Sequence, residues 1–151
     1  ADINSSVRGI LAGGFDGSAR FNTIEYITIS TTGNGQEFGD LTRTNYNITA
    51  VCNSTRGVVG GGNPNTNVMD FMTIATLGNA QDFGDLLTAR EHVIGGTSSK
   101  TRGVFSGGNG SAGSNVREAI TISTTGNSID FGDCFQVRAW GAGCSNGHGG
   151  L

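Results

Sequence analysis

The chain has little positive charge and no long apolar segment. Its 151 residues include nine lysine and arginine residues against twelve aspartate and glutamate residues, which gives a formal net charge of -3. No basic stripe is available to hold phosphates, so nucleic-acid binding is not expected. The apolar runs span only a few residues, whereas a membrane-spanning helix needs roughly 20. Residues 1–4 lack the basic start of a signal peptide, so we expect neither a signal peptide nor membrane insertion.

Metal-binding and catalytic side chains are scarce as well. The chain has two histidines, His92 and His148, and three cysteines, Cys52, Cys134 and Cys144. No Cys-x-x-Cys or Cys/His metal spacing is present, so the cysteines are predicted to be free structural thiols. A His-based metal site or a Ser/His/Asp triad would need an unusual convergence of single residues. We therefore expect no catalytic residue, no metal and no cofactor.

Glycine, in contrast, is abundant. The chain contains 27 glycines and one proline, is rich in Ser, Thr and Asn, and is 35% hydrophobic. This composition favours many short strands joined by tight turns. The apolar residues fall in periodic bursts, which argues against disorder. The sequence therefore predicts an all-β fold without helices.

The sequence repeats itself three times. An Arg-Gly-apolar-apolar run that ends in Gly-Gly begins at Arg8, Arg56 and Arg102, at spacings of 48 and 46 residues. Each copy continues to a Gly-Asn pair and then to Phe-Gly-Asp. A period of this length indicates a repeat architecture. We predict one repeat domain over residues 1–151, with units of about 5–53, 54–98 and 99–144. Residues 145–151 are predicted either to start a fourth unit or to form a closing strand.

Each unit is predicted to contain four strands after a polar lead-in over residues 1–7. The first strand ends at the Gly-Gly pair, and the second alternates apolar and polar residues, as in Glu25 to Ser30. The Gly-Asn pair predicts a tight hairpin with positive φ, and the Phe of Phe-Gly-Asp is the expected core anchor of the third strand. A less regular fourth strand follows an arginine, over residues 45–52, 92–97 and 139–144.

Most charged residues recur at the same position in each unit. A catalytic group is needed once per site, whereas a repeated group does the same work in every unit, so these residues are interpreted as structural. The repeated arginines and aspartates are predicted to form hydrogen-bonded pairs between strands or units. The structural repeat set comprises Arg8, Arg56, Arg102, Asp40, Asp85, Asp133, Arg43, Arg90, Arg138, Phe38, Phe83 and Phe131.

The loop after each Gly-Gly pair varies between copies. Binding residues commonly lie on loops carried by a rigid scaffold, so these loops are the candidate recognition surface, with unselected solvated turns as the alternative. Trp140 lies in the fourth segment, where it either joins this surface or fills core space. The candidate contacts with a ligand or partner are Phe15, Asp16, Arg20, Phe21, Asn63, Asn65, Asn67, Asn109, Ser111, Asn115 and Trp140.

The pattern resembles a kelch-type β-propeller blade. The resemblance is carried by the Gly-Gly pairs, by Tyr26 and Phe71, by the Phe of each Phe-Gly-Asp motif and by the arginine that opens each fourth segment. It implies three four-stranded blades, too few to close a propeller, with edges that must be covered. We therefore expect a homo-oligomer, in which two copies would supply six blades, or a larger protein assembly. A β-solenoid or prism in a fibre is the alternative.

The sequence segments RGVFSGG, ITISTTGN and DFGDL are also similar to repeats in kelch-like proteins of tailed, particularly marine, bacteriophages. That resemblance implies a virion decoration or fibre component, located on the virion or outside the cell. The first hypothesis is accordingly a non-enzymatic structural protein that self-assembles. The second is a glycan-binding module that uses the variable loops, and an enzyme is the third.

Overall fold

The computed structural model describes residues 2–93, 95–108 and 113–145, and within them every regular element is a β-strand. Accordingly, no helix in this part of the chain is long and apolar enough to span a membrane. The strands are β1 (Asp2–Asn4), β2 (Arg8–Phe15), β3 (Arg20–Thr28), β4 (Gln36–Asp40), β5 (Thr49–Cys52), β6 (Arg56–Gly60), β7 (Thr66–Thr73), β8 (Gln81–Arg90), β9 (Gly95–Ser98), β10 (Arg102–Ser106), β11 (Ser114–Thr121) and β12 (Ile129–Arg138).

The strands form three antiparallel sheets of four strands each. Sheet one has the order β1-β2-β3-β4, sheet two β5-β6-β7-β8 and sheet three β9-β10-β11-β12. Neighbours in a sheet are also neighbours in sequence, so each sheet is a simple meander. The all-β prediction is confirmed, and the three sheets are consistent with blade-like units.

Each sheet is offset by one strand from the predicted unit. The segments expected to be fourth strands, 45–52 and 92–97, contain β5 and β9, which pair with the opening strand of the next unit. The predicted lead-in likewise contains β1, where Ile3 is fully buried and pairs with Ile10. In the third copy, residues 139–144 form no strand. The offset arises because a short turn folds β1, β5 and β9 back onto the strand that follows each of them.

One polar side chain stabilises each of these turns. The Asn53 carboxamide oxygen accepts hydrogen bonds from the backbone N–H groups of Thr55 (3.0 Å) and Arg56 (2.8 Å). The hydroxyls of Ser5 and Ser99 accept the corresponding bonds from their own turns. Side chains of this type favour turns by satisfying the backbone two or three residues ahead.

Glycines provide the predicted backbone freedom at the Gly-Gly pairs. Gly61 and Gly107 have φ of +69° and +63°, and each directly follows a strand. Gly13 (φ +62°) instead lies inside β2, at a β-bulge. A Cβ at Gly61 would lie 2.8 Å from the Arg90 carbonyl oxygen, so side chains are excluded there on steric grounds as well.

The Gly-Asn pairs do not form the predicted tight hairpins. They lie in longer connections, residues 29–35, 74–80 and 122–128, between the second and third of each unit's predicted strands. Gly78 and Gly126 have the expected positive φ, whereas Gly33 does not. Because these connections are longer than a hairpin turn, the ones at residues 74–80 and 122–128 contact the preceding sheet.

The core is divided between two interfaces, which we call interface 1–2 and interface 2–3 after the sheets that form them. Across interface 1–2, Ile10 and Phe38 of sheet one cluster with Val59 and Met72 of sheet two. Across interface 2–3, the side chains of sheet two cluster with Phe105, Ile120 and Ile122 of sheet three. Sheet two therefore buries both of its faces, as its apolar-rich strands require.

Candidate functional site

The Phe-Gly-Asp motif of sheet one binds the Gly-Asn turn of sheet two. The Phe38 carbonyl accepts a hydrogen bond from the Gly78 N–H (2.8 Å), and the Asp40 carbonyl accepts one from the Ala80 N–H (2.8 Å). In return, the Asp40 N–H donates to the Asn79 side-chain oxygen (3.1 Å). Interface 1–2 is therefore held by backbone groups as well as by apolar packing.

Interface 2–3 repeats this arrangement. The Phe83 carbonyl accepts from the Gly126 N–H (2.7 Å), the Asp85 carbonyl accepts from the Ser128 N–H (2.9 Å), and the Asp85 N–H donates to the Asn127 side chain (3.0 Å). The same two motifs thus perform the same task at both interfaces.

A β-bulge exposes the carbonyl that each turn binds. In β4 and β8 the strand register skips Phe38 and Phe83, so these residues lie outside the ladder of their own sheet. Residues at a bulge are left unpaired and the strand bends there. The glycine that follows lets the turn approach closely, since a Cβ at Gly84 would lie 2.6 Å from the carbonyl carbon of Gly126.

The arginine that opens each unit reaches across the interface. Arg8 Nη1 donates to the Ile74 carbonyl (2.8 Å) while the guanidinium lies 4.7 Å from the Tyr26 ring centre. Arg56 makes the equivalent contact with the Ile122 carbonyl (3.2 Å). These arginines therefore bind carbonyl groups, and the predicted carboxylate partner is wrong for them.

Carboxylates from the second predicted strand complete both interfaces. Asp70, which is buried, accepts hydrogen bonds from the Thr42 hydroxyl (2.8 Å) and N–H (3.2 Å) and lies 3.7 Å from Arg43. The predicted pairing with the Phe-Gly-Asp aspartates is corrected here, because Asp40 contributes backbone groups to the interface instead.

The pair at interface 2–3 is more deeply buried. Glu118 accepts hydrogen bonds from the Leu87 N–H (2.7 Å) and the Ser128 hydroxyl and forms an ion pair with Arg90. The side chains of Arg90 and Glu118 are 1% and 0% exposed. Burial lowers the pKa of the Arg90 guanidinium below its ordinary value.

The structural repeat residues of the third unit lie on a free surface. Phe131 was predicted to be a core anchor, yet it is 47% exposed, whereas Phe38 and Phe83 are buried. Arg102, Asp133 and Arg138 are exposed as well. The reason is positional, because sheet three is followed by no further sheet that could cover them in the described chain.

The loops after the first two Gly-Gly pairs meet the connections between sheets on one surface, which we call the loop surface. The Phe15 ring stacks on Tyr46, with centroids 4.9 Å apart, and the Arg20 guanidinium lies 5.6 Å from the Tyr46 ring centre. The Asn63 N–H donates to the Tyr46 carbonyl (2.8 Å), and its carboxamide donates to Glu91. Phe15, Arg20 and Asn63 are therefore brought together around Tyr46, a residue that the sequence did not single out.

The other candidate contacts are more dispersed. Phe21 and Asn65 are exposed, Asn67 and Asn115 are half-buried on their strands, and Asn109 and Ser111 lie outside the described residues. Asp16 accepts hydrogen bonds from the N–H groups of Ser18 (2.8 Å) and Ala19 (2.7 Å), which lower the pKa of its carboxyl group. Its carboxylate thus stabilises its own turn.

Trp140 lies on the protein surface beside an open cleft of about 300 Å³. Its ring centre is 3.6 Å from that of His92, and it is 69% exposed, which corrects the alternative that it fills core space. Asn47 and Thr49 also line the cleft. Asn47, His92 and Trp140 all have positive φ, an uncommon backbone conformation for residues other than glycine.

Ionisable side chains are not gathered into a metal site. No group of three or more His, Cys, Asp or Glu side chains is placed to hold a metal ion in the part of the chain that the structure describes, which does not include His148. No disulfide bond joins Cys52, Cys134 and Cys144, all of which lie among the described residues.

Comparison with known proteins identifies no family. No protein-family model matches the chain, and no curated protein matches it significantly. The repeated antiparallel sheets and the interfaces between them are therefore the basis on which a function is assigned.

Proposed function

We propose that the chain is a non-enzymatic structural protein that assembles into a larger body, and that its three sheets are blades of a β-propeller completed by oligomerisation. The observation that carries this proposal is a contrast between equivalent positions. Leu11, Ile27 and Ile29 of sheet one are 58%, 42% and 54% exposed. The matching residues of sheet two, Val59, Met72 and Ile74, are all at most 3% exposed.

Exposed apolar groups at positions that are otherwise buried mark an interaction surface. Among the described residues, such positions lie on the outer face of sheet one and, at Phe131, on the outer face of sheet three. The charged residues support the same function, because Arg8, Arg56, Asp70, Arg90 and Glu118 are engaged in contacts between sheets. A decoration or fibre component of a virion, or another extracellular structure, has the architecture that this proposal requires.

Sedimentation velocity over a wide concentration range tests the proposal. An assembling protein will sediment as a species heavier than one 15.4 kDa chain, and the fraction of that species will rise with protein concentration. A single species with the mass of one chain at every concentration would contradict self-assembly.

Glycan binding at the cleft beside Trp140 is a second candidate function. The observation that favours it is the exposed Trp140 beside the cleft lined by Asn47, Thr49 and His92, since aromatic faces and carboxamides suit sugar rings and hydroxyl groups. Trp140 is the single tryptophan of the chain, so its fluorescence reports on this site alone.

Glycan-array binding combined with Trp140 fluorescence tests this second candidate. A bound sugar should shift the emission of Trp140, and Trp140→Ala should abolish binding. Phe21→Ala is the matched control, because Phe21 is an exposed aromatic residue of β3 that does not line the cleft. A blank array with an unchanged emission spectrum would exclude this function for the sugars tested.

A further inference from the structure

We infer that the outer face of sheet three binds the outer face of sheet one of a second copy, with the contacts of interfaces 1–2 and 2–3, so that two copies close a ring of six sheets. This inference rests on the proposed self-assembly and names its partner and its surfaces. The sheet-one face consists of Leu11, Glu25, Ile27, Ile29 and residues 33–35. The sheet-three face consists of Arg102, Arg117, Phe131, Asp133 and Arg138.

The backbone groups on the sheet-three face are arranged as at the internal interfaces. The register of β12 skips Phe131, as that of β4 skips Phe38, so a bulge again places this residue outside the ladder. A Cβ at the following Gly132 would have no atom within 4 Å, whereas one at Gly84 meets the turn of the next sheet. The Phe131 carbonyl and both backbone groups of Asp133 are therefore the expected partners of a further Gly-Asn turn.

Sheet one carries the matching turn. Gly33, Asn34 and Gly35 correspond to Gly78, Asn79 and Ala80, and all three are exposed. A Cβ at Gly33 would likewise have nothing within 4 Å. By analogy with the internal interfaces, the Gly33 N–H donates to the Phe131 carbonyl of the second copy, and Asn34 accepts from the Asp133 N–H.

The apolar part of the sheet-one face also matches. Leu11 occupies the strand position of Val59 and Phe105, which are 3% and 0% exposed inside the internal interfaces. Ile27 and Ile29 likewise hold the positions of Met72 and Ile74, which are buried at interface 1–2. The face thus keeps the side chains of an interface although no sheet of the same chain covers it in the described residues.

The two faces carry net charges of opposite sign. The sheet-three face exposes three arginines, Arg102, Arg117 and Arg138, and one carboxylate, Asp133. The sheet-one face exposes Glu25, whose cross-strand neighbour Glu37 is also exposed. Arg138 and Glu25 hold the repeat positions of Arg90 and Glu118, which form the buried ion pair of interface 2–3. Complementary charge of this kind fixes the register and excludes contacts between two identical faces.

The number of sheets selects the number of copies. Propellers typically contain about four to eight blades. The described residues of one copy form three sheets, so those of two copies supply six and those of three copies supply nine, and a pair falls within the range. In such a pair each copy uses both faces once, and a two-fold axis along the centre of the ring relates the copies.

A charge exchange tests the pairing. The variants Glu25→Arg and Arg138→Glu change exposed residues, so each chain should fold as the parent does, which circular dichroism verifies. Each variant alone places two like charges at both contacts of the ring, and we expect its dissociation constant for the dimer to rise at least tenfold. Arg20→Glu, the same charge change on the loop surface, is the matched control and should leave the dimer intact.

Mixing the two variants gives the decisive readout. In a mixed pair one contact has the exchanged charges and the other has the natural ones, so an equimolar mixture should restore dimers that contain one copy of each. Parent dimers that neither variant weakens, or weakened variants that mixing does not restore, would overturn this pairing and leave self-assembly standing. A parent chain that is monomeric at all concentrations would contradict both.

Discussion

Replacing Arg90 by alanine should be among the most damaging single changes in the chain. Arg90 forms an ion pair with Glu118 across interface 2–3, and its Nη1 donates to the carbonyls of Gly107 (2.9 Å) and Val116 (3.2 Å). Its side chain is 1% exposed, so these contacts are made in the protein interior and not in water. The Glu118 carboxylate would remain buried without its counter-charge.

The expected cost follows from that burial. Removing one partner of a buried ion pair destabilises a protein by about 3–5 kcal/mol, because the remaining charge is left uncompensated. A domain is stable by about 5–15 kcal/mol in total. For a chain of this length, each kcal/mol lowers the melting temperature by roughly 2–4 °C, so Arg90→Ala should lower it by about 6–20 °C.

Urea denaturation measures this loss of unfolding free energy, at a protein concentration too low for assembly. Arg138→Ala is the matched control, since Arg138 holds the same repeat position but is exposed, and it should change the unfolding free energy by about 0.5 kcal/mol or less. The double variant Arg90→Met, Glu118→Gln should lose less unfolding free energy than the two single variants Arg90→Met and Glu118→Gln lose in sum, because it removes both charges. Equal losses for Arg90→Ala and Arg138→Ala would refute this reasoning.

Three further predictions concern packing, backbone strain and pH. Phe105→Ala should cost about 3–5 kcal/mol in urea denaturation, and Leu11→Ala, at the same strand position but 58% exposed, about 0.5 kcal/mol or less, so equal costs would contradict the assigned interfaces. Both Gly84→Ala and Gly132→Ala place a side chain at positive φ, at a cost of about 1–3 kcal/mol. Calorimetry should show a larger loss for Gly84→Ala, whose methyl group also collides with the neighbouring turn. Asp16 should titrate below its ordinary pKa in NMR spectra, so its stabilising effect is present above that value and disappears as the pH falls through the lower, folded-state pKa. An ordinary pKa for Asp16 would contradict the turn geometry.

Local patterns accounted for most of the strands. The alternation of Glu25 to Ser30 lies largely within β3, and the Gly-Gly pairs end β6 and β10, because period-two burial and positive φ leave direct traces in sequence. Pairing between strands leaves weaker traces. The offset of each sheet depends on one polar side chain three residues before the opening arginine, at Ser5, Asn53 and Ser99. This spacing is visible in the sequence, but it predicts the offset only when the pairing of the strands is known.

The charged contacts show a similar limit. The acidic residues of the second predicted strand and the Phe-Gly-Asp aspartates both recur in every unit. The sequence alone does not show which of the two sets faces the neighbouring sheet. Glu118 and Asp70 point into an interface, whereas Asp40 contributes its backbone. The contact between the rings of Trp140 and His92 was equally hidden, since it joins a residue that follows β12 to one in the connection between β8 and β9.

The mass of the unmodified chain in solution tests the central claim most directly, namely that the chain assembles with a second copy of itself. Native mass spectrometry of the purified protein should show a species of twice the 15.4 kDa chain mass that dissociates on dilution. A population made only of single chains at concentrations of hundreds of micromolar would contradict the account.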